Sequence, residues 1–161
     1  VFYTYDLFDD IKYKKENFNF IYRVSAIIYN EDETKILLFY GDDMDFYMLP
    51  GGKVKEQEKS INAIKREIYE ELGYENLEFE FAGVSEELIS EKGKFIQEIT
   101  MTYKCQYNGD IKEKSFKSKE SDWINFKWVE INKLDEFNIY PSKISSIVNK
   151  SSNHIVEEKN K

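Results

Sequence analysis

Residues 51–74 read GGKVKEQEKSINAIKREIYEELGY, and this stretch constrains the fold more than any other part of the chain. Ile61, Ile64, Ile68 and Leu72 recur at spacings of three and four, which predicts a helix over 59–72 with one apolar stripe. Pro50-Gly51-Gly52 breaks the chain before it, and Gly73 is a C-cap residue after it. Such a stripe must be buried against a partner layer. Residues 20–29 and 35–40 are rich in β-branched and aromatic side chains and flank the turn cluster Asn30-Glu31-Asp32-Glu33, so they read as a hairpin. Over 95–107, Ile99, Met101, Tyr103, Cys105 and Tyr107 alternate with Glu98, Thr100, Thr102, Lys104 and Gln106, the pattern of a long strand. Further strands are expected over 78–84 and 125–129, a turn at Asn108-Gly109, and a last helix over 142–149. These elements predict an α/β fold, a mixed sheet flanked by helices. Residues 1–19 read as an N-terminal extension or edge strand plus loop, and the polar end, 155–161, as a frayed tail.

The helix also carries three glutamates. Each helical residue turns the chain by about 100°, so Glu70 lies at about −60° and Glu71 at about +40° from Glu67. All three share a face, beside the apolar stripe rather than opposite it. Like charges at these spacings repel and weaken a bare helix. A set of oxygen ligands suits a hard cation, Mg²⁺ or Mn²⁺, which is commonly shared with substrate phosphates. No His or Cys stands nearby, which argues against zinc. Glutamate-rich helix faces are also common as plain solvated surface, and Arg66 by itself reads equally as an ion-pair partner of Glu70 one turn away.

Length and charge narrow the partners. The chain has 161 residues, the size of one domain with one core. Its formal net charge is −8, which disfavours non-specific binding to nucleic acid and means that a small phosphate compound needs a bridging cation. The one cysteine, Cys105, forms no internal pair, fits a reducing, cytoplasmic compartment, and falls in the apolar alternation as a small buried hydrophobe. No apolar run has the roughly 20 residues of a membrane span. The one histidine, His154, sits in the polar tail and is expected to be inert, so acid–base work falls to carboxylates, Lys, Tyr or metal-bound water.

The full spacing decides between the readings of the helix. Five residues separate Gly52 from Glu58, seven separate Glu58 from Arg66, and Glu67, Glu70, Glu71 and Gly73 follow in order. This resembles the signature of the Nudix, or MutT-like, hydrolases. Two positions depart from it. Tyr74 stands where the family usually has an aliphatic residue, and Gln57 replaces a frequent glycine, which bears on loop shape. The likeness extends from about residue 22 to residue 148, through Leu49-Pro50-Gly51-Gly52, the run from Trp128 to Leu134, and Tyr140-Pro141. It implies the Nudix α/β/α sandwich as a single domain.

By the same resemblance, Glu67, Glu70 and Glu71 hold divalent metal, with the Gly52 carbonyl as an added ligand. Glu67 serves as general base in some members. Arg66 orients a glutamate, Glu58 supports the loop–helix geometry, and Gly51 and Gly52 allow close backbone approach. A further carboxylate often comes from outside the box. Glu98 is the candidate, with a plain solvated face as the competing reading. Glu86, Glu87 and Glu91, in the preceding loop, and Glu120 are alternatives. Arg23 reads either as a substrate contact or as a salt-bridge partner, and Phe46 and Tyr47 either as base-stacking groups or as core.

The implied chemistry is metal-dependent hydrolysis of a diphosphate linkage, with Mg²⁺ or Mn²⁺, on a small nucleotide substrate. Family marks for ADP-ribose, dinucleoside polyphosphate, NADH and coenzyme A hydrolases are missing, which leaves a nucleoside triphosphate or a nucleotide sugar. A nucleotide sensor of the same fold that no longer cuts is the alternative; the complete glutamate set speaks against it. An RNA-cap hydrolase is disfavoured by the acidic charge. Homodimers are common in the family.

Overall fold

The computed structural model describes residues 7–111 and 113–161. The strands are β1 (Lys12–Lys15), β2 (Phe18–Tyr29), β3 (Lys35–Gly41), β4 (Gly51–Lys53), β5 (Glu80–Glu91), β6 (Lys94–Gln106), β7 (Ser115–Lys117), β8 (Ile124–Glu130) and β9 (His154–Asn160). They form one sheet in the order β7-β8-β3-β2-β6-β5-β9, with β1 and β4 also paired to β2. The β2–β6 and β5–β9 pairs are parallel and the others antiparallel, so the sheet is mixed.

Each face of the sheet meets its own layer. The helix α1 (Ser60–Leu72) lays Ala63, Ile64, Ile68 and Leu72 on Val24, Ala26 and Ile28 of β2 and on Tyr103 and Cys105 of β6. Cys105 is thus a buried core residue, and burial pushes its thiol up to about 12. On the other face, Ile27, Ile36, Leu38 and Ile155 pack against Leu134, Ile139, Ile144, Ile147 and Val148. This second layer is built from a 3₁₀ turn (Ile131–Glu136), another (Ser142–Ile144) and the short α2 (Ser145–Val148). The expected last helix is therefore mostly 3₁₀, and regular α-helix covers only four residues of it. Among the described residues no helix is long and apolar enough to cross a membrane.

Four sequence expectations change. The polar end is not frayed: residues 154–160 form β9 and pair with β5 in parallel register from His154 to Asn160. Its burial pattern gives the reason, since Ile155 is buried in the core while His154, Glu158, Lys159 and Asn160 stay exposed. Glu86, Glu87 and Glu91 lie within β5 and not in a loop, because β5 runs on to a tight turn at Lys92-Gly93. The Thr100/Thr102 side of β6 is not solvated: those residues are 7% and 0% exposed. His154 is engaged by Glu86, at 2.7 Å. Of the N-terminal stretch, 12–15 is the expected edge strand, while residues 1–6 lie outside the described residues.

Candidate active site: a braced carboxylate cluster

The site is assembled where β4, α1 and a late loop meet. Gly51 and Gly52 pair with Ser25 and Val24 of β2, and there is no room for a side chain at either. A Cβ on Gly51 would overlap the Val24 carbonyl oxygen, and one on Gly52 would overlap the Glu67 carboxylate. The chain then turns through Gln57, whose φ of 62° is left-handed. That conformation is the physical reason a glycine would suit this position. Helix α1 ends at Gly73, φ 73°, whose N–H donates to the Tyr69 carbonyl. Tyr74, the departure at the end of the motif, stacks flat on Tyr107 with ring centroids 4.0 Å apart.

Arg66 braces the centre. It is 2% exposed and donates from Nε and Nη2 to the two carboxylate oxygens of Glu58, at 2.8 and 3.0 Å. Nη2 also donates to the Lys53 carbonyl at 3.0 Å, and Nη1 to Glu67 at 3.0 Å and to Glu70 at 3.4 Å. Glu58 accepts the Lys55 N–H as well, which ties the loop to the helix. Arg66 is thus an internal strut and faces no open space for substrate.

Glu67, Glu70 and Glu120 each offer a carboxylate oxygen, all within 4.8 Å of one another. Glu120 arrives on the loop between β7 and β8. That loop is docked on the end of α1: the Lys119 N–H donates to the Glu71 carbonyl at 2.8 Å, and the Ser118 hydroxyl donates to the same oxygen at 3.4 Å. The Ser118 hydroxyl in turn accepts the Glu120 N–H at 3.1 Å. Glu71 stands beside this triplet, within electrostatic reach of Glu67, Glu120 and Arg23. Burial pushes the Glu67 carboxyl up to about 7 against the pull of Arg66, with Glu70 and Glu120 adding to the rise. It pushes Glu71 to about 9, with Glu67 and Glu120 adding and Arg23 opposing. Such crowding of acids is costly in the bare protein and is relieved by a cation. The donors are all oxygens, and the Gly52 backbone lies against the Glu67 carboxylate, so the residues fit a hard divalent metal.

The other sequence candidates fall elsewhere. Glu98 is not part of the triplet. It shares a small cavity of mixed polar and apolar lining with Arg23, Ser25, Glu87, Thr100 and Tyr140 on the opposite face of the sheet from α1. Burial raises its carboxyl, opposed by Arg23 and Lys53. Among the described residues Arg23 closes no salt bridge; it lies within electrostatic reach of Glu71, Glu87 and Glu98. Tyr47 packs its ring 5.2 Å from those of Tyr40 and Phe137, a core position. Phe46 stands edge-on to Tyr140 at 6.2 Å, in a groove of about 370 Å³. Sequence reasoning gave Glu120 less weight than Glu98, since nothing in the local pattern around Glu120 marks it; only the docking of its loop on α1 does.

A mixed sheet between α1 and a mostly 3₁₀ layer, with a glycine-cradled glutamate helix at one end, defines an acid-rich α/β sandwich. A NUDIX domain model matches residues 20–147, and the chain belongs to the Nudix family. Its fold is similar to that of a mutator MutT protein from Bacillus halodurans, with TM-score 0.64, 20% identity, and coverage of 84% of this chain and 85% of that one. It is likewise similar to the E. coli dihydroneopterin triphosphate pyrophosphohydrolase, with TM-score 0.64, 16% identity and coverage of 80% and 92%. Over 50 residues it is 40% identical to the m7GpppN-mRNA hydrolase of Saccharomyces cerevisiae, a match spanning 31% of this chain and only 5% of that protein.

Proposed function

We propose that the chain is a metal-dependent pyrophosphohydrolase acting on a small nucleoside-diphosphate derivative, a nucleoside triphosphate or a nucleotide sugar. The observation that carries this reading is the triplet Glu67, Glu70 and Glu120, with carboxylate oxygens within 4.8 Å of one another. Bound Mg²⁺ or Mn²⁺ would offset phosphate charge and acidify a water. Glu67, Glu70 and Glu120 would hold it, with the Gly52 carbonyl as a further donor. Arg66 keeps the Glu67 and Glu70 carboxylates in place, so that the ligands are preorganised. Glu71, buried beside the triplet with Arg23 opposing the rise of its carboxyl, would take the proton of the attacking water once a bound cation holds it ionised. The formal charge of −8 favours a small substrate over an RNA backbone, although the yeast relative's name refers to mRNA.

The test is a panel of nucleoside diphosphate derivatives with Mg²⁺ or Mn²⁺, run beside Glu70→Gln. Metal-dependent product release that the variant loses supports the hydrolase. Tight nucleotide binding by the wild type without turnover would replace it with a sensor of the same fold.

A further inference from the structure

Helix α1 covers only part of its face of the sheet. It packs on Val24, Ala26 and Ile28 of β2, while Phe18 and Phe20, earlier on the same strand and the same face, belong to neither core cluster. Cross-strand register widens this uncovered end. Tyr13 stands opposite Phe20, Phe95 opposite Phe18, and Leu88 lies on the next strand opposite Gln97. Tyr13 is 58% exposed, Phe95 51% and Leu88 38%. A contiguous exposed apolar patch of this kind marks a contact site.

The same end gathers positive charge. The β1–β2 turn, the β5–β6 turn and the end of β9 meet there: the Phe95 N–H donates to the Asn17 carbonyl at 2.8 Å, and the Lys161 N–H to the Ser90 carbonyl at 2.7 Å. Residues 13–18, 90–95 and 158–161 hold Lys14, Lys15, Lys92, Lys94, Lys159 and Lys161 against Glu16, Glu91 and Glu158, and all nine are exposed. Six positive against three negative charges give +3, in a chain of −8, so the rest of the molecule carries −11. Lys15 lies over the Phe18 ring at 5.7 Å, and among the described residues none of the six lysines closes a salt bridge.

Charge decides what such a patch can meet. A two-fold contact with a second copy would set the patch against itself, lysine facing lysine. A long polyanion would run on from the patch along the acidic body and be repelled there. A flat anionic surface meets only this end, and the body points away beyond the screening length of about 8 Å. Aromatic side chains ringed by lysines are suited to the headgroup layer of a bilayer.

We propose that this end of the sheet anchors the protein on an anionic lipid surface, with Tyr13, Phe18 and Phe95 entering the headgroup layer and the lysines facing the lipid phosphates. Each lysine near such a surface strengthens binding about fivefold, so the net +3 should favour anionic over neutral vesicles by about 100-fold.

The test is co-sedimentation of the full chain with vesicles of phosphatidylcholine, with and without one-third phosphatidylserine, at low and high salt. Preference for the anionic vesicles that fades with salt is the expected result. The double variant Lys92→Gln, Lys94→Gln should lower the partition coefficient about 30-fold, and Phe95→Ser should lower it at any salt. Circular dichroism checks that each variant is folded; the lysine pair buries no apolar side chain and carries the test if Phe95→Ser unfolds. In Phe95→Trp, emission should shift to the blue on the vesicles relative to wild type. Equal partition on both vesicles, or binding that neither variant weakens, overturns the proposal. So does a single-stranded oligonucleotide that binds where vesicles do not, or a dimer in sedimentation velocity that Phe95→Ser dissociates while vesicles stay unbound.

Discussion

Two acidic clusters lie on opposite faces of one sheet, and they are built by opposite means. On the α1 side, Arg66 sits inside the cluster and spends its donors on Glu58, Glu67, Glu70 and the Lys53 carbonyl. On the other side, among the described residues, Arg23 lies within electrostatic reach of Glu87 and Glu98 without closing a salt bridge, and one Glu87 oxygen has no hydrogen-bond partner. A buried arginine that satisfies its acids fixes geometry. The first arrangement suits carboxylates that must stay in place, whereas the second leaves buried charge incompletely offset.

The largest effect expected from breaking this contrast is on stability. Arg66→Ala strips the partner from buried Glu58 and should cost about 3–5 kcal/mol, measured by urea unfolding. Arg23→Ala, with no closed pair to break among the described residues, should cost clearly less; equal losses would erase the distinction between the two arginines. Next is Gly52→Ala. Its methyl group displaces the Glu67 carboxylate, and such misplacement should lower turnover by about 100-fold and weaken Mn²⁺ binding in a direct titration.

A smaller effect separates the clusters by pH. Burial, with Glu98 and Glu157 adding and Ser85 and Arg23 opposing, pushes Glu87 up to about 7 from 4.5. Across that window the folded state holds the proton more tightly than the unfolded chain, so this contribution to stability falls as pH rises through it. Tyr140 completes the surroundings of Glu87. Glu87→Gln removes the titration, so its melting temperature relative to wild type should rise between about pH 5 and about pH 8. A difference that stays constant with pH would show that Glu87 is charged throughout. The smallest change is Gln57→Gly. It relieves a left-handed residue, offset by glycine's greater freedom when unfolded, for a net gain of roughly 0.5 kcal/mol in thermal unfolding.

The two clusters were unequally legible in the sequence. The α1 cluster is local: its glutamates, arginine and flanking glycines are fixed by helical spacing within two dozen residues, so periodicity and motif find them together. The row of Glu98, Glu87 and Glu157 is local only in part: Glu87 and Glu98 face each other across the Lys92-Gly93 hairpin, while Glu157 comes from far along the chain. Its members come from three strands, one of them drawn from a polar end that reads as disordered because only Ile155 and Val156 in it are apolar. Register between strands distant in sequence is set by tertiary packing, which no local pattern reports. The same limit applies to Glu120. Its neighbours Lys119 and Ser121 carry no signal, and its place is decided by hydrogen bonds to the end of α1.

That docking also has a bearing on how the carboxylate triplet comes into being. The Lys119 amide closes onto the Glu71 carbonyl across 48 positions of chain, so the last carboxylate of the triplet is delivered by tertiary closure and not by helix formation. An unfolding event that frees the β7–β8 hairpin would dismantle the carboxylate triplet while leaving α1 wound. The hydrogen-exchange rate of one backbone proton, that of Lys119, would then report how often the centre falls apart in the native protein.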